Sequence, residues 1–444
     1  MRNKVKMNQN FPVISESDKL FERSQGLIPA HTQTLAKGPT QWIKGIAPKY
    51  LKKGKGSHVW DVDGNEFLDF NMGIGPVVLG YCYDKVDNAV RKQLEEGITF
   101  SLMHPLEVEL SEKIRSIVPN AESVRFSKTG CDVTTAAVRV SRAFTKRNKV
   151  LCCGYHGWHD WYIGVTDRDA GIPHAVKDLT FTFNYNDIES VIQSLDTDTA
   201  CVILEPFVFE EQKNDFLHEL KNVCHKNGTL LIFDEMWTGF RIASGGAQEF
   251  FGVTPDLACY SKAVANGMPI SVITGRKDIM NLFDKDVFFF TTFGGEALSM
   301  AAAMATIDEI TDKNVPQYLS SQGKKLKDGY NRIAESLNMD YTKCSGYNCR
   351  TIVTFDAAAG NPLEMKSFVQ QEMIRNGILW GGFHNMCFSH SDNDVDYTLK
   401  CYETILPLLK KAVNDKNVKS NLKGDPVEPV FRKTGNFNIK PKQL

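Results

Sequence analysis

Lys262 stands in the stretch Asp256-Leu-Ala-Cys-Tyr-Ser-Lys262-Ala-Val-Ala-Asn-Gly267-Met-Pro269, about one βα unit after an apolar run that ends in two carboxylates, Leu230-Leu-Ile-Phe-Asp234-Glu235. A lysine held on a constrained turn against a buried sheet can form a Schiff base with an aldehyde, and a buried aspartate can keep a pyridine nitrogen protonated. Asp234 would also suit a helix N-cap. Closing a buried strand, however, it needs a partner, because an unpaired buried charge is costly. Lys262 and Asp234 together point to pyridoxal phosphate (PLP) chemistry, with these two residues as its catalytic pair.

Three more stretches supply what such a cofactor needs. Lys128-Thr129-Gly130-Cys131-Asp132 separates an apolar segment from a helix of Thr, Ala and Val. It reads either as an ordinary helix cap or as a turn whose free amides, aided by the helix dipole, hold a phosphate. Gly154-Tyr155-His156-Gly157-Trp158-His159 puts aromatic rings at a strand exit, where Tyr155 would stack on a planar cofactor. Its two histidines have no third ligand at metal spacing, so no metal site is expected. Thr291-Thr292-Phe293-Gly294-Gly295 precedes an alanine-rich helix and reads as a capping turn or as a second phosphate contact.

These residues must be carried by a repeating framework. Apolar residues recur at three- and four-residue intervals over Lys85–Glu96, Leu106–Ile117, Thr134–Thr145 and Phe216–Lys226, which predicts helices. Between and after them lie short apolar strands, Lys149–Cys153, Ala200–Leu204, Leu230–Phe233 and Ile270–Thr274. Short buried strands alternating with helices imply a mostly parallel sheet, with ligands outside the strands' carboxyl ends. Tyr155, His156, Glu205, Asp234 and Glu235 all fall at such ends. An Asp63-Gly64 turn between two β-rich runs predicts a hairpin. The expected organisation is an N-terminal arm and part of a small domain (1–60), a large cofactor-binding domain (61–312), a small C-terminal α+β domain (313–414) and an extended tail (415–444).

Composition narrows the class. With 52 Lys+Arg against 53 Asp+Glu, the 444-residue chain has no broad basic field for nucleic acid or anionic membrane. No run reaches the roughly 18 apolar residues that span a bilayer. Eleven irregularly spaced cysteines suit a reducing compartment better than a disulfide framework. A cytoplasmic enzyme is expected.

The order Thr129-Gly130, Tyr155-His156-Gly157, Asp234-Glu235 with Thr238-Gly239-Phe240-Arg241, Lys262 with Gly267-Met268-Pro269, and Thr292-Phe293-Gly294-Gly295 resembles the class III PLP-dependent aminotransferases, most closely their glutamate-1-semialdehyde 2,1-aminomutase branch. The resemblance covers about residues 25 to 412. It implies PLP-dependent transferase fold type I: a large domain with a mostly parallel seven-stranded sheet, a smaller domain built from both chain ends, and a homodimer with shared active sites. It further implies that Lys262 carries the Schiff base and Asp234 meets the pyridine nitrogen. Tyr155 would stack on the ring with His156 beside it. The turn of Thr129, Gly130 and Cys131 would bind phosphate, Glu205 would lie near the ring, and Thr292 would reach the neighbouring subunit's phosphate.

Four departures surround the expected substrate. Thr129-Gly130-Cys131 replaces a Ser-Gly-Thr turn, and Lys37 is offered where the branch has an arginine after its Ile-Pro pair. A lysine is a point charge and cannot reproduce a bidentate fork. The segment between Tyr162 and Phe181 is shorter than the loop that gates the aminomutase site, and Phe383-His384-Asn385 stands where the branch carries an acidic residue. Retained cofactor chemistry on a different substrate is therefore expected: transfer of an amino group between a donor and a small carbonyl acceptor, sugar-like or another ketone or aldehyde. Lys37, Trp158, Trp237 and His384 are the candidate substrate contacts. The alternative is intramolecular amine exchange, as in the aminomutase. A non-catalytic binding protein on the same fold would be marked by loss of Lys262 or Asp234, and both are present.

Overall fold

The computed structural model describes Asn8, residues 10–207 and residues 209–429. Among them the chain forms two compact units, one of Asp84–Gln317 and one of the residues up to Tyr83 together with those from Tyr318 onward.

The first of these is built on a seven-stranded sheet: β1 (Ser123–Ser127), β2 (Lys149–Cys153), β3 (Thr180–Thr182), β4 (Thr199–Leu204), β5 (Leu230–Asp234), β6 (Leu257–Tyr260) and β7 (Ser271–Gly275), in the order β1-β7-β6-β5-β4-β2-β3. Strands β3 through β6 pair in parallel along that order, while β7 is antiparallel to both β6 and β1. Two reversals restore direction, so β1 runs with the parallel group. The carboxyl ends of β1, β2, β4, β5 and β6 share one edge.

Alternation decides which helix each strand meets. Val150 and Cys152, Cys201 and Ile203, Leu230 and Ile232, Leu257 and Cys259, and Ile273 pack with Val133, Ala136, Ala137 and Val140 of helix α1 (Gly130–Thr145). The intervening Leu151, Val202, Leu204, Leu231, Phe233 and Ala258 are buried on the other face. A sheet covered on both faces explains why its strands read as continuous apolar runs. The expected strands and helices appear within a few residues of their predicted limits. Three strands of this sheet stand outside those expectations: β1, which reads in sequence only as an apolar segment, β3, three residues too short to show a period, and β6, which reads only as the approach to Lys262.

The second unit holds a four-stranded sheet. Leu51–Lys55, His58–Asp61 and Glu66–Asp69 form an antiparallel meander that includes the expected hairpin, and Ile378–Leu379 adds a parallel strand beside Glu66–Asp69. That last pairing, Ile378 with Leu68 and Leu379 with Asp69, ties Glu66–Asp69 to this unit, which extends to Tyr83 where a boundary was expected at 60. A three-stranded antiparallel sheet of Thr342–Ser345, Arg350–Phe355 and Phe383–Asn385 completes it.

His384 lies in that sheet and not at a pocket wall. It is 0% exposed, its Nδ1 bonds Thr351 Oγ1 at 2.8 Å, and its Nε2 bonds the Tyr402 hydroxyl at 2.8 Å. Burial, with nearby His390, lowers its pKa to about 3, so it packs as a neutral ring. Its expected substrate role is withdrawn on these grounds: both ring nitrogens are engaged in the core. The expected tail is docked as far as it is described. Val427 is buried, and its amide bonds Ser367 Oγ while the Glu428 amide bonds the Thr40 carbonyl. Residues 430–444 lie outside the described residues.

Candidate active site

The edge shared by β1, β2, β4, β5 and β6 collects most of the candidate residues of the large unit. After β1, Thr129 caps α1 with a reciprocal box: its amide donates to Asp132 Oδ2 at 2.8 Å, joined by Ser127 Oγ at 2.7 Å. Burial pushes the Asp132 carboxyl up, but these hydrogen bonds outweigh it and hold its pKa below the usual range. The cap leaves the next two amides open. Among the described residues, Gly130 and Cys131 N–H have no acceptor. A sixteen-residue helix thus aims two free donors and its positive dipole end at one point.

Two glycines keep that point accessible. A Cβ on Gly157, whose φ is +107°, would lie 2.4 Å from Cys131 Cβ, and one on Gly130 would lie 2.9 Å from Met236 Sδ. The turns after β2 and β5 therefore lie directly against the first turn of α1. Thr134 Oγ1 ties the same helix to the His156 carbonyl at 2.9 Å.

Asp234 ends β5 and is 1% exposed. Its Oδ2 lies 2.7 Å from His156 Nδ1, and its Oδ1 accepts from the Met236 amide at 3.1 Å. His156 Nε2 faces the Cys153 carbonyl at 3.1 Å, and its ring stacks on Trp161. His156 is therefore held behind Asp234 as its hydrogen-bond partner. A carboxylate has about four lone-pair sites, so Asp234 keeps room for one more donor.

Glu205 follows β4, is 5% exposed, and accepts the Tyr155 amide at 2.9 Å. This bond fixes the exit of β2. Tyr155 remains 42% exposed, with its ring edge against Tyr162. Burial of its hydroxyl, assisted by Cys131, Asp234 and Glu205, raises the phenol's pKa, so it stays protonated.

Glu235 serves a different purpose from Asp234. Fully buried, it accepts from Ala247 N at 2.8 Å, Gln248 N at 3.1 Å and the Thr238 hydroxyl, closing the loop after β5. Burial pushes its carboxyl up to about 7.

Lys262 follows β6 with φ +46°, a left-handed conformation that costs an L-residue roughly 1–2 kcal/mol. Its Nζ lies 3.8 Å from the centroid of the Trp237 ring, on the loop that follows Asp234. Sequence reasoning offered Trp237 only as a substrate contact; its stacking on Lys262 joins residues 25 positions apart and has no local signature.

The remaining candidates are placed elsewhere. Trp158 is 69% exposed beside His159. Thr292 is exposed on the turn before Ala297–Asp312, flanked by the exposed Phe290 and Phe293. Lys37 is exposed in the second unit. Cys131, Asp132 and His159 place ligand atoms within 4.8 Å of one another, although Asp132 already serves as a helix cap and His159 Nδ1 bonds Thr135 Oγ1.

The donor set fits PLP. Two open amides at a helix N-terminus suit a phosphate, a buried carboxylate with spare acceptor capacity suits a protonated ring nitrogen, a half-exposed phenol offers a face, and a lysine stands on the same edge.

Comparison with known proteins agrees. The family described as aminotransferase class-III matches residues 44–386. The 3-aminobutyryl-CoA aminotransferase of Cloacimonas acidaminovorans is 32% identical over 413 residues, covering 90% of this chain and 99% of that protein. The glutamate-1-semialdehyde 2,1-aminomutase of Francisella tularensis is also 32% identical, over 425 residues, covering 87% of this chain and 97% of that protein. The solved structure of the FumI protein of Sphingopyxis sp. MTA144, in its PLP internal aldimine form, superposes with a TM-score of 0.83 at 25% identity, covering 92% of this chain and 99% of that one. The chain belongs to the class III aminotransferases, PLP-dependent enzymes of fold type I.

Proposed function

We propose that the protein transfers an amino group from an external amino donor to a small carbonyl acceptor, with Lys262 as the covalent and proton-moving residue and Asp234 as its electrostatic partner. The observation that carries this reading is the convergence on one sheet edge of the open α1 amides, the His156-supported Asp234 carboxylate and the strained Lys262. PLP, when bound, supplies an electron sink that stabilises negative charge developing at the substrate's amine-bearing carbon.

The protein's residues do the rest. Lys262 would hold the cofactor covalently through Nζ and, once released, would move the proton at the reacting carbon. Asp234 would keep the ring nitrogen protonated, and His156 holds Asp234 in place. Gly130 and Cys131 N–H would bind the phosphate in the turn that Thr129 shapes, Tyr155 would lie against the ring, and Glu205 fixes the Tyr155 backbone. Thr292 would reach the phosphate of a second copy, so the proposed working unit is a homodimer; the exposed Phe290 and Phe293 beside it support that assembly. Trp158, Trp237 and Lys37 remain the proposed substrate contacts. We assign the enzyme to the cytoplasm, because eleven irregularly spaced cysteines suit a reducing compartment. No helix among the described residues is long and apolar enough to cross a membrane.

A matrix of carbonyl acceptors against amino donors, run with purified holoenzyme, tests the reading. Turnover should require a donor and leave its keto product. The 32% identity to an aminomutase supports a second reading, in which glutamate-1-semialdehyde is converted with no donor present. Lys262→Ala should lower kcat by at least about 10³-fold and abolish borohydride-trapped cofactor, as loss of a covalent catalyst does. Substantial turnover by that variant would refute the role of Lys262.

A further inference from the structure

Lys128 immediately precedes the phosphate turn, yet its charge is directed away from it. Its Nζ makes a 2.7 Å ion pair with Glu296 Oε2, and the two side chains are only 19% and 11% exposed. The other bonds of Glu296 all serve the next helix. It accepts from Leu298 N at 2.7 Å and from Ser299 N and Ser299 Oγ at 3.3 and 2.6 Å, capping Ala297–Asp312.

That helix is preceded directly by the Thr291–Gly295 turn, which is packed tightly in place. A Cβ on Gly294 would lie 3.0 Å from the Phe126 carbonyl of β1, and one on Gly295 would lie 2.7 Å from Glu107 Oε1. A single half-buried ion pair therefore links two turns 168 residues apart in sequence, one carrying Gly130 and Cys131, the other carrying Thr292.

We propose that Lys128 and Glu296 are positioning residues that lock these two phosphate turns at a fixed separation, so that Thr292 is presented in register for the cofactor phosphate of a second copy. The inference rests on the reading that Thr292 contacts that phosphate. Lys128 itself stays off the phosphate, because its ammonium is committed to Glu296. A partly desolvated, charge-assisted pair with a shared cap is a stronger fixture than an exposed one.

Coenzyme affinity, measured by absorbance titration of apoenzyme with PLP, tests this without reference to turnover. Thr292→Ala should weaken binding about tenfold, the scale of one lost charge-assisted hydrogen bond. Lys128→Met and Glu296→Gln should each weaken it comparably, Lys128→Arg should restore it, and Lys128→Met combined with Thr292→Ala should be no worse than Thr292→Ala alone. If Lys128 instead bound phosphate directly, freeing it by Glu296→Gln would leave affinity unchanged or raise it, and the proposal would be overturned. It is equally overturned if Thr292→Ala weakens binding while Lys128→Met stays within twofold of the unmodified protein. If Thr292→Ala has no effect, the reading of Thr292 falls and the proposal falls with it.

Discussion

Two adjacent carboxylates at the end of β5 illustrate how far a residue's neighbours determine its chemistry. Asp234 faces an imidazole and has acceptor capacity left over, whereas Glu235 is enclosed by the loop it closes. Because burial raises the Glu235 pKa from 4.5 to about 7, the folded state binds a proton that the unfolded chain has already released. The stabilisation from this site is complete below about pH 4.5 and is lost as pH rises through 7, amounting to roughly 3 kcal/mol in all. Denaturant unfolding at pH 5 and pH 8 of the unmodified protein and of Glu235→Gln measures this. The stability difference between them should move in favour of the variant by up to about 3 kcal/mol on going to pH 8. A pH-independent difference would show that the hydrogen bonds from Ala247, Gln248 and Thr238 keep Glu235 ionised throughout.

At the scale of elements, the site depends on turns that approach one another more closely than side chains allow. Gly157 combines a left-handed φ with a neighbouring Cys131 Cβ that a methyl group would meet at 2.4 Å. Gly157→Ala should therefore push the β2 exit away from the α1 N-terminus, costing about 1–3 kcal/mol of stability and at least about tenfold in coenzyme affinity. Gly171→Ala is the matched control. Its φ is +87° but nothing lies within 4 Å of the added carbon, so strain should appear in thermal unfolding without loss of coenzyme. Equal coenzyme loss in both variants would mean that steric approach at Gly157 is not the cause. The expected helices were legible from their apolar period, as in Phe216–Lys226, and four strands of the large sheet from unbroken apolar runs, as in Lys149–Cys153. The reversed direction of β7 was not, since a short apolar run reads the same either way.

For the whole molecule, the proposed homodimer makes a prediction that no single chain can satisfy. If Thr292 serves the neighbour's cofactor, a Lys262→Ala chain and a Thr292→Ala chain assemble into a heterodimer with one fully intact site and one doubly altered site. Mixing the two variants under conditions that allow subunit exchange should restore tight coenzyme binding and turnover in up to half of the heterodimer's sites. Gel filtration with light scattering should give about twice the 49.8 kDa chain mass. A monomer, or a mixture no more active than the sum of its parts, would place Thr292 in service of its own site or of none.

The α/β framework and the class III signature were legible in the sequence, as were the residues proposed for the site: Lys262, Asp234, the Thr129–Cys131 turn and Tyr155. Their local signatures survive on short stretches: a strand ending in carboxylates, a lysine between serine and a Gly-Met-Pro turn, a glycine at a helix start. Other features were decided only by the tertiary structure. His384 looked like a polar contact until Thr351 and Tyr402 were seen to occupy both its nitrogens, and the 2.7 Å pairing of His156 with Asp234 has no signature in sequence. Lys128 and Glu296 carried no signal at all, because their bond joins segments that approach only after β1 and the Thr291–Gly295 turn have packed. Periodicity and motif spacing encode which residues share an element. Which charge meets which, across a hundred or more residues, is set by how those elements close on one another.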